Sequence, residues 1–137
     1  MKQVLLDTNV ILRFLRRDDP TQSSQAAALF DEASNGGCKL RFGWHVLAEC
    51  IWALRHHYDA PRQEIAASLA TMIASESVVC EGKAVLLDAL ERYVSTKLDI
   101  VDCMLAAESE SGGGVLATFD QEIGKKFTEM TEWEWKV

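Results

Sequence analysis

Short apolar runs alternate with helix-length amphipathic stripes along the whole chain, and this pattern limits the fold more than any other feature. Residues 3–6 are an apolar run closed by Asp7 and read as a buried strand. Residues 9–17 carry a helical stripe at Val10, Ile11, Phe14 and Leu15. Pro20 opens a second helix that stops near Asn35-Gly36-Gly37. Residues 38–43 form a short strand candidate, and residues 44–58 a helix with Leu47, Cys50, Ile51 and Leu54 on one face. Pro61 starts a helix running to about Ala74, and residues 77–80 are briefly β-prone. Residues 83–96 and 99–110 are helical, and Ser111-Gly112-Gly113-Gly114 ends the second of these. Residues 115–119 read as a strand, 120–127 as a short helix, and the acidic end with Trp133 and Trp135 as a weak last strand. Strands that alternate with helices imply a parallel sheet covered on both faces. The expected fold class is therefore α/β.

Length and charge narrow the function. At 137 residues the chain is the size of one domain, 1–137, and buries roughly two-thirds of its surface without metal or disulfide staples. No run approaches the ~20 apolar residues of a membrane span. The start meets Asp7 too soon for the apolar core of a signal peptide. An unexported, cytoplasmic chain keeps its thiols reduced. Cys38, Cys50, Cys80 and Cys103 lack any C-x-x-C pair, so they read as apolar fillers and not as a zinc site. The net charge of −7 argues against holding nucleic acid by bulk electrostatics. It leaves room for a nuclease whose carboxylates gather divalent cations that meet the phosphate.

In parallel sheets, ligands bind beyond the carboxyl ends of the strands. That points to Asp7, Thr8 and Asn9 after the first strand, and to Thr118 and Asp120 after a later one. Asp7 and Asp120 could each simply cap the helix that follows. Asp99 and Asp102 are spaced i, i+3, which puts two like charges on one helical face. A cation would explain that pair; so would the positive end of the helix, with Asp99 as N-cap. Glu49 lies off the apolar stripe of its helix, where a carboxylate is ordinarily solvated. Hard divalent cations take oxygen ligands. Asp7, Glu49, Asp102 and Asp99 or Asp120 could together hold one or two such ions, which would activate a water for attack on phosphorus. Neither a G-x-S-x-G nor a G-x-x-x-x-G-K-[ST] motif occurs.

Four short motifs then carry a resemblance. They are Asp7-Thr8-Asn9-Val10-Ile11-Leu12-Arg13 with Asp18-Asp19-Pro20 and Gln22; Val46-Leu47-Ala48-Glu49 with Trp52-Ala53-Leu54; Asp99-Ile100-Val101-Asp102 with Met104-Leu105-Ala106-Ala107; and Leu116-Ala117-Thr118-Phe119-Asp120. In this order they resemble PIN-domain ribonucleases of the VapC toxin type. The resemblance implies a three-layer α/β/α fold around a central parallel sheet of four to five strands. It also implies an endoribonuclease dependent on Mg2+ or Mn2+, leaving 5′-phosphate and 3′-hydroxyl ends. Asp7, Glu49 and Asp102 would be the central metal-binding acids, Asp120 would complete the set, and Asp99 would be a neighbour that is a ligand in some members of the family. Thr8, Asn9 and Thr118 would orient carboxylates or water. Relatives of this type commonly dimerise, and a small antitoxin silences the toxins by covering the acidic cleft. The fourth motif departs from the pattern: Gln121-Glu122-Ile123 stands where another acid and an aromatic are common.

Other features fit a modest RNA path: Arg13, Arg16 and Arg17, then Arg55 and His56, then Lys125 and Lys126. Trp44, Trp52, Trp133 and Trp135 read first as packing residues and second as base-stacking groups. The Ala-rich faces of residues 20–35 and 61–74 permit close helix packing, within the chain or against an antitoxin. Two alternative readings stand beside the nuclease that the resemblance implies: a catalytically idle PIN-like binding module, and a metal-dependent phosphatase. The full set of acids opposes the first. The absence of a second Asp after Asp7 in a D-x-D start opposes the other.

Overall fold

The computed structural model describes residues 1–136. The chain forms two compact units, Met1–Lys83 and Ala84–Val137.

The first unit holds a parallel sheet of β1 (Gln3–Leu5), β2 (Lys39–Arg41) and β3 (Val78–Val79), in that order. Val4 pairs with Leu40, and Leu40 with Val78. Four helices make the crossovers: α1 (Thr8–Arg16), α2 (Pro20–Ser34), α3 (Trp44–His56) and α4 (Arg62–Ala74). Each parallel step needs such a crossover, which is why the helical stripes fall between the strands. The core gathers on the central strand and the stripes facing it: Leu40, Phe42, Ile11, Leu47, Ile51, Leu69 and Ile73 are buried. The α2 start follows the expected logic: Pro20 occupies the first turn and the Asp19 carboxylate accepts from the Gln22 N–H at 3.0 Å. Arg17 ends α1 in the left-handed region at φ 53, and its N–H donates to the Arg13 carbonyl.

The second unit contains α5 (from Lys83 to Ser95), α6 (Ile100–Glu108) and α7 (Gln121–Lys126). A π-helical turn over Ser109–Gly113 follows α6, and Gly112 and Gly114 take φ values of 98 and 122 that glycine tolerates best. Leu86, Leu90, Tyr93, Cys103, Met104, Ile123 and Phe127 are buried.

Two sequence expectations need correction. The sheet has three strands among the described residues, where four to five were expected. Among the described residues, 115–119 and the C-terminal stretch pair as strands only in an isolated parallel bridge, Leu116 with Glu132. The reason lies in the local pattern: Leu116 is buried, but Val115 and Phe119 face solvent, so the run lacks the apolar contacts that extend a ladder. The first strand is also less buried than its apolar run suggests. Leu6 is buried, whereas Leu5 is 75% exposed.

Candidate active site

The five candidate carboxylates divide between the two units. In the first, Asp7 follows β1 in extended backbone and caps α1, its Oδ1 accepting from the Thr8 N–H at 2.8 Å. That bond engages one carboxylate oxygen. Thr8 is buried, and its carbonyl accepts from the Cys50 thiol at 4.0 Å. Glu49 precedes Cys50 on α3 and is exposed. Burial raises the Cys50 thiol to about 12, and the charges of Glu49 and then Asp7 add to the rise. Glu49 and Asp7 therefore act on the same buried sulfur. Cys50 is fully buried, in keeping with the apolar filler that its place on the α3 stripe predicts.

In the second unit, Asp99 occupies the N-cap position of α6, yet its carboxylate makes no capping hydrogen bond. The helix cap alone therefore does not account for it. Asp102 lies in the first turn of the same helix. Its carboxyl is raised above the ordinary value by partial burial first, then by the charges of Asp120 and Asp99. Asp120 caps α7, accepting from the Glu122 N–H at 2.9 Å. Thr118 Oγ1 accepts from the Asp120 N–H at 3.0 Å, so the hydroxyl fixes the backbone that carries this acid. Asn9 lines a cavity of about 380 Å³ beside α1 and α2, with Arg13 and Gln25. A second cavity, of about 530 Å³, lies against α5 with Arg92, Glu110 and Phe127. Neither lining includes any of the five carboxylates.

None of the five makes an ion pair with Lys, Arg or His among the described residues, although Asp18, Asp59, Glu64, Asp88, Glu110 and Glu122 all do. Unneutralised carboxylates that raise a neighbour suit a hard divalent cation in donor chemistry. Among the described residues no three His, Cys, Asp or Glu side chains are grouped closely enough to hold an ion as they stand. The basic candidates are more occupied than expected. Arg13, Arg16, Arg55 and Lys125 each pair with a nearby acid. Trp52, Trp133 and Trp135 are exposed and so lie outside the core, although Trp52 packs on His56 and His57 and Trp135 on Phe119.

A strand–helix order built on a parallel sheet, with acids at the start of α1, on α3, at the start of α6 and at the start of α7, defines a PIN-type α/β protein. The PIN domain family model matches residues 4–127, and the chain belongs to that family. It is also similar to the VapC ribonuclease of Aquifex aeolicus (strain VF5), at 28% identity over 109 residues, which is 80% of each chain. The three-layer α/β/α class expected from the sequence is thus the fold of this chain.

Proposed function

We propose that this chain is a divalent-metal-dependent endoribonuclease, the toxin of a type II toxin–antitoxin pair, and that residues 1–137 act as one PIN-like domain. The observation that carries this reading is the state of the acids. The five carboxylates of the four motifs have no ion-pair partners among the described residues, and Asp102 is raised first by partial burial and then by its like-charged neighbours. The name of the Aquifex relative supports ribonuclease chemistry.

Asp7, Glu49 and Asp102, with Asp99 and Asp120, would hold Mg2+ or Mn2+. When bound, such an ion supplies charge neutralisation at the phosphodiester and a more acidic water. The chain's own residues prepare this. The Thr8 N–H fixes one oxygen of Asp7 and leaves the other open. Thr118 fixes the backbone at Asp120. Asp99, unused as a cap, keeps its carboxylate available. Asn9 is assigned a part in orienting water at the same acids.

The expected partners are RNA, a second copy of the chain, and a small antitoxin, in the cytoplasm. Ala28 on α2 and Ala67 and Ala74 on α4 are exposed, which supports close approach by an antitoxin helix. Among the described residues no helix is long and apolar enough to cross a membrane.

The test is a map of new RNA 5′ ends in bacterial cells after brief induction, wild type against Asp7→Asn. Sharp ends with wild type alone are expected. Identical ends from both would overturn the assignment of Asp7. In purified chain, wild-type cleavage by Asp102→Asn would do the same for Asp102.

A further inference from the structure

Phe119 is the most exposed large apolar side chain of the protein among the described residues, at 83%, and its ring is not isolated. It stacks on Trp135 with centroids 4.4 Å apart and planes within 14°. The parallel bridge explains the pairing. Leu116 bridges Glu132, and three residues further on along both segments come Phe119 and Trp135. The indole is held in place: Trp135 Nε1–H donates to the Thr118 carbonyl at 3.1 Å. The same threonine's hydroxyl accepts from the Asp120 N–H. Thr118 therefore joins the ring pair and the candidate acid within three consecutive residues.

We infer that Phe119 and Trp135 form a stacking platform for an unpaired base of single-stranded RNA. This rests on the endoribonuclease reading and names the part of the substrate that meets this unit. Charge selects the occupant. Around the rings Lys125, Lys126 and Lys136 are interspersed in sequence with Asp120, Glu122, Glu132 and Glu134, and with the net charge of −7 they offer RNA no strong basic track. With the metal withheld, affinity then rests on contacts that need no cation, and stacking on an aromatic face is such a contact. Only an unpaired base can offer its face, so the platform selects single strands over duplex. Phe119 directly precedes Asp120 in the chain, so a base held on the rings is bound by the same segment that carries a candidate acid.

The experiment measures binding of fluorescein-labelled octaadenylate RNA to the full chain in EDTA, by anisotropy and by tryptophan quenching. Phe119→Ala should weaken binding about tenfold to hundredfold. Phe119→Trp should restore it, and a hairpin duplex or an abasic octamer should bind weakly and without regard to residue 119. At 83% exposure the side chain can be truncated without opening the core. Equal octamer affinity in wild type and Phe119→Ala overturns the platform, as does the absence of binding by wild type. Sedimentation of both proteins adds a third outcome. If Phe119→Ala turns a dimer into a monomer, the rings cover a second copy and the proposal falls. The nuclease reading is tested apart: cleavage in Mn2+ with an unaltered octamer affinity in Phe119→Ala would keep that reading and remove the platform. Platform-dependent binding without cleavage would do the reverse.

Discussion

The charge of Asp120, from the N-cap of α7, bears on Asp102 in the first turn of α6 and helps to raise its carboxyl above the ordinary 3.8. Partial burial is the larger cause, and Asp99 adds to it. Between the ordinary and the raised value, the folded chain keeps a proton that the unfolded chain has lost. Stability therefore falls as pH rises through that window, and the deficit persists above it. Asp102→Asn removes the penalised charge. In EDTA near neutral pH, the variant should melt about 2 °C above wild type, a small shift because the group is only partly buried. The gain should vanish below the ordinary value of 3.8. Equal melting temperatures across the pH range would show that the crowding carries no strain.

Asp7 combines a cap with a catalytic assignment, and two substitutions separate them. Asn keeps an oxygen that can accept from the Thr8 N–H. Ala does not. Asp7→Ala should lose about 1 kcal/mol of stability, and Asp7→Asn only a few tenths. Both should lose RNA cleavage. Urea denaturation followed by a cleavage assay on the same samples checks this. Retained cleavage in Asp7→Asn alone would reduce Asp7 to a cap.

The extent to which the sequence foretold these features varies with the physics behind them. Helices were legible because their stripes face one core: Leu47, Cys50, Ile51 and Leu54 are all buried on α3, as their spacing required. Punctuation by Pro20 and by the Gly112–Gly114 turn was equally plain, since it acts through the backbone alone. Strands were less legible. An apolar run says that a segment can be buried, not that a neighbour arrives to pair with it, so residues 115–119 yield one bridge and Leu5 stays exposed. The candidate acids are proposed from motif order. Their environment was not legible there, because Cys50 and its carbonyl partner at Thr8 are 42 residues apart. The stacking of Phe119 on Trp135 likewise depends on a long-range bridge that no local pattern announces.

Tyr58, just past α3, contacts α1 and the loop that follows it. Its hydroxyl donates to Asp18 Oδ2 at 2.7 Å and accepts from Arg13 Nη1 at 3.2 Å, and the Arg16 guanidinium lies 4.9 Å from its ring centre. The Tyr58 bond is the leading cause that holds the Asp18 carboxyl below its ordinary value, with Arg13 and Arg16 assisting. Tyr58→Phe should therefore raise the Asp18 pKa, as read from its side-chain carboxyl carbon by NMR. A depressed carboxyl contributes stability above its unfolded pKa and loses it as pH falls through the folded one. The variant should accordingly show a shallower acid limb in its stability profile. An unmoved Asp18 would assign the depression to the two arginines.

The four cysteines should differ sharply in reactivity, because the thiolate is the nucleophile and burial both hides and neutralises it. Cys50 is 0% exposed, and its thiol is pushed up to about 12. Cys38 and Cys103 are buried, and only Cys80 is part-exposed. Burial raises Cys80 as well, while Lys83 pulls it back. Iodoacetamide at mildly alkaline pH should thus label the native chain once, slowly, at Cys80, and all four sites after denaturation. Mass spectrometry of the peptides reads the outcome. Glu49→Gln removes one of the charges that raise Cys50, so it should lower that thiol's pKa without exposing it, and labelling should remain confined to Cys80. Rapid native labelling of Cys50 would mean that α3 opens away from Thr8, and that Asp7 and Glu49 do not share the neighbourhood assigned to them.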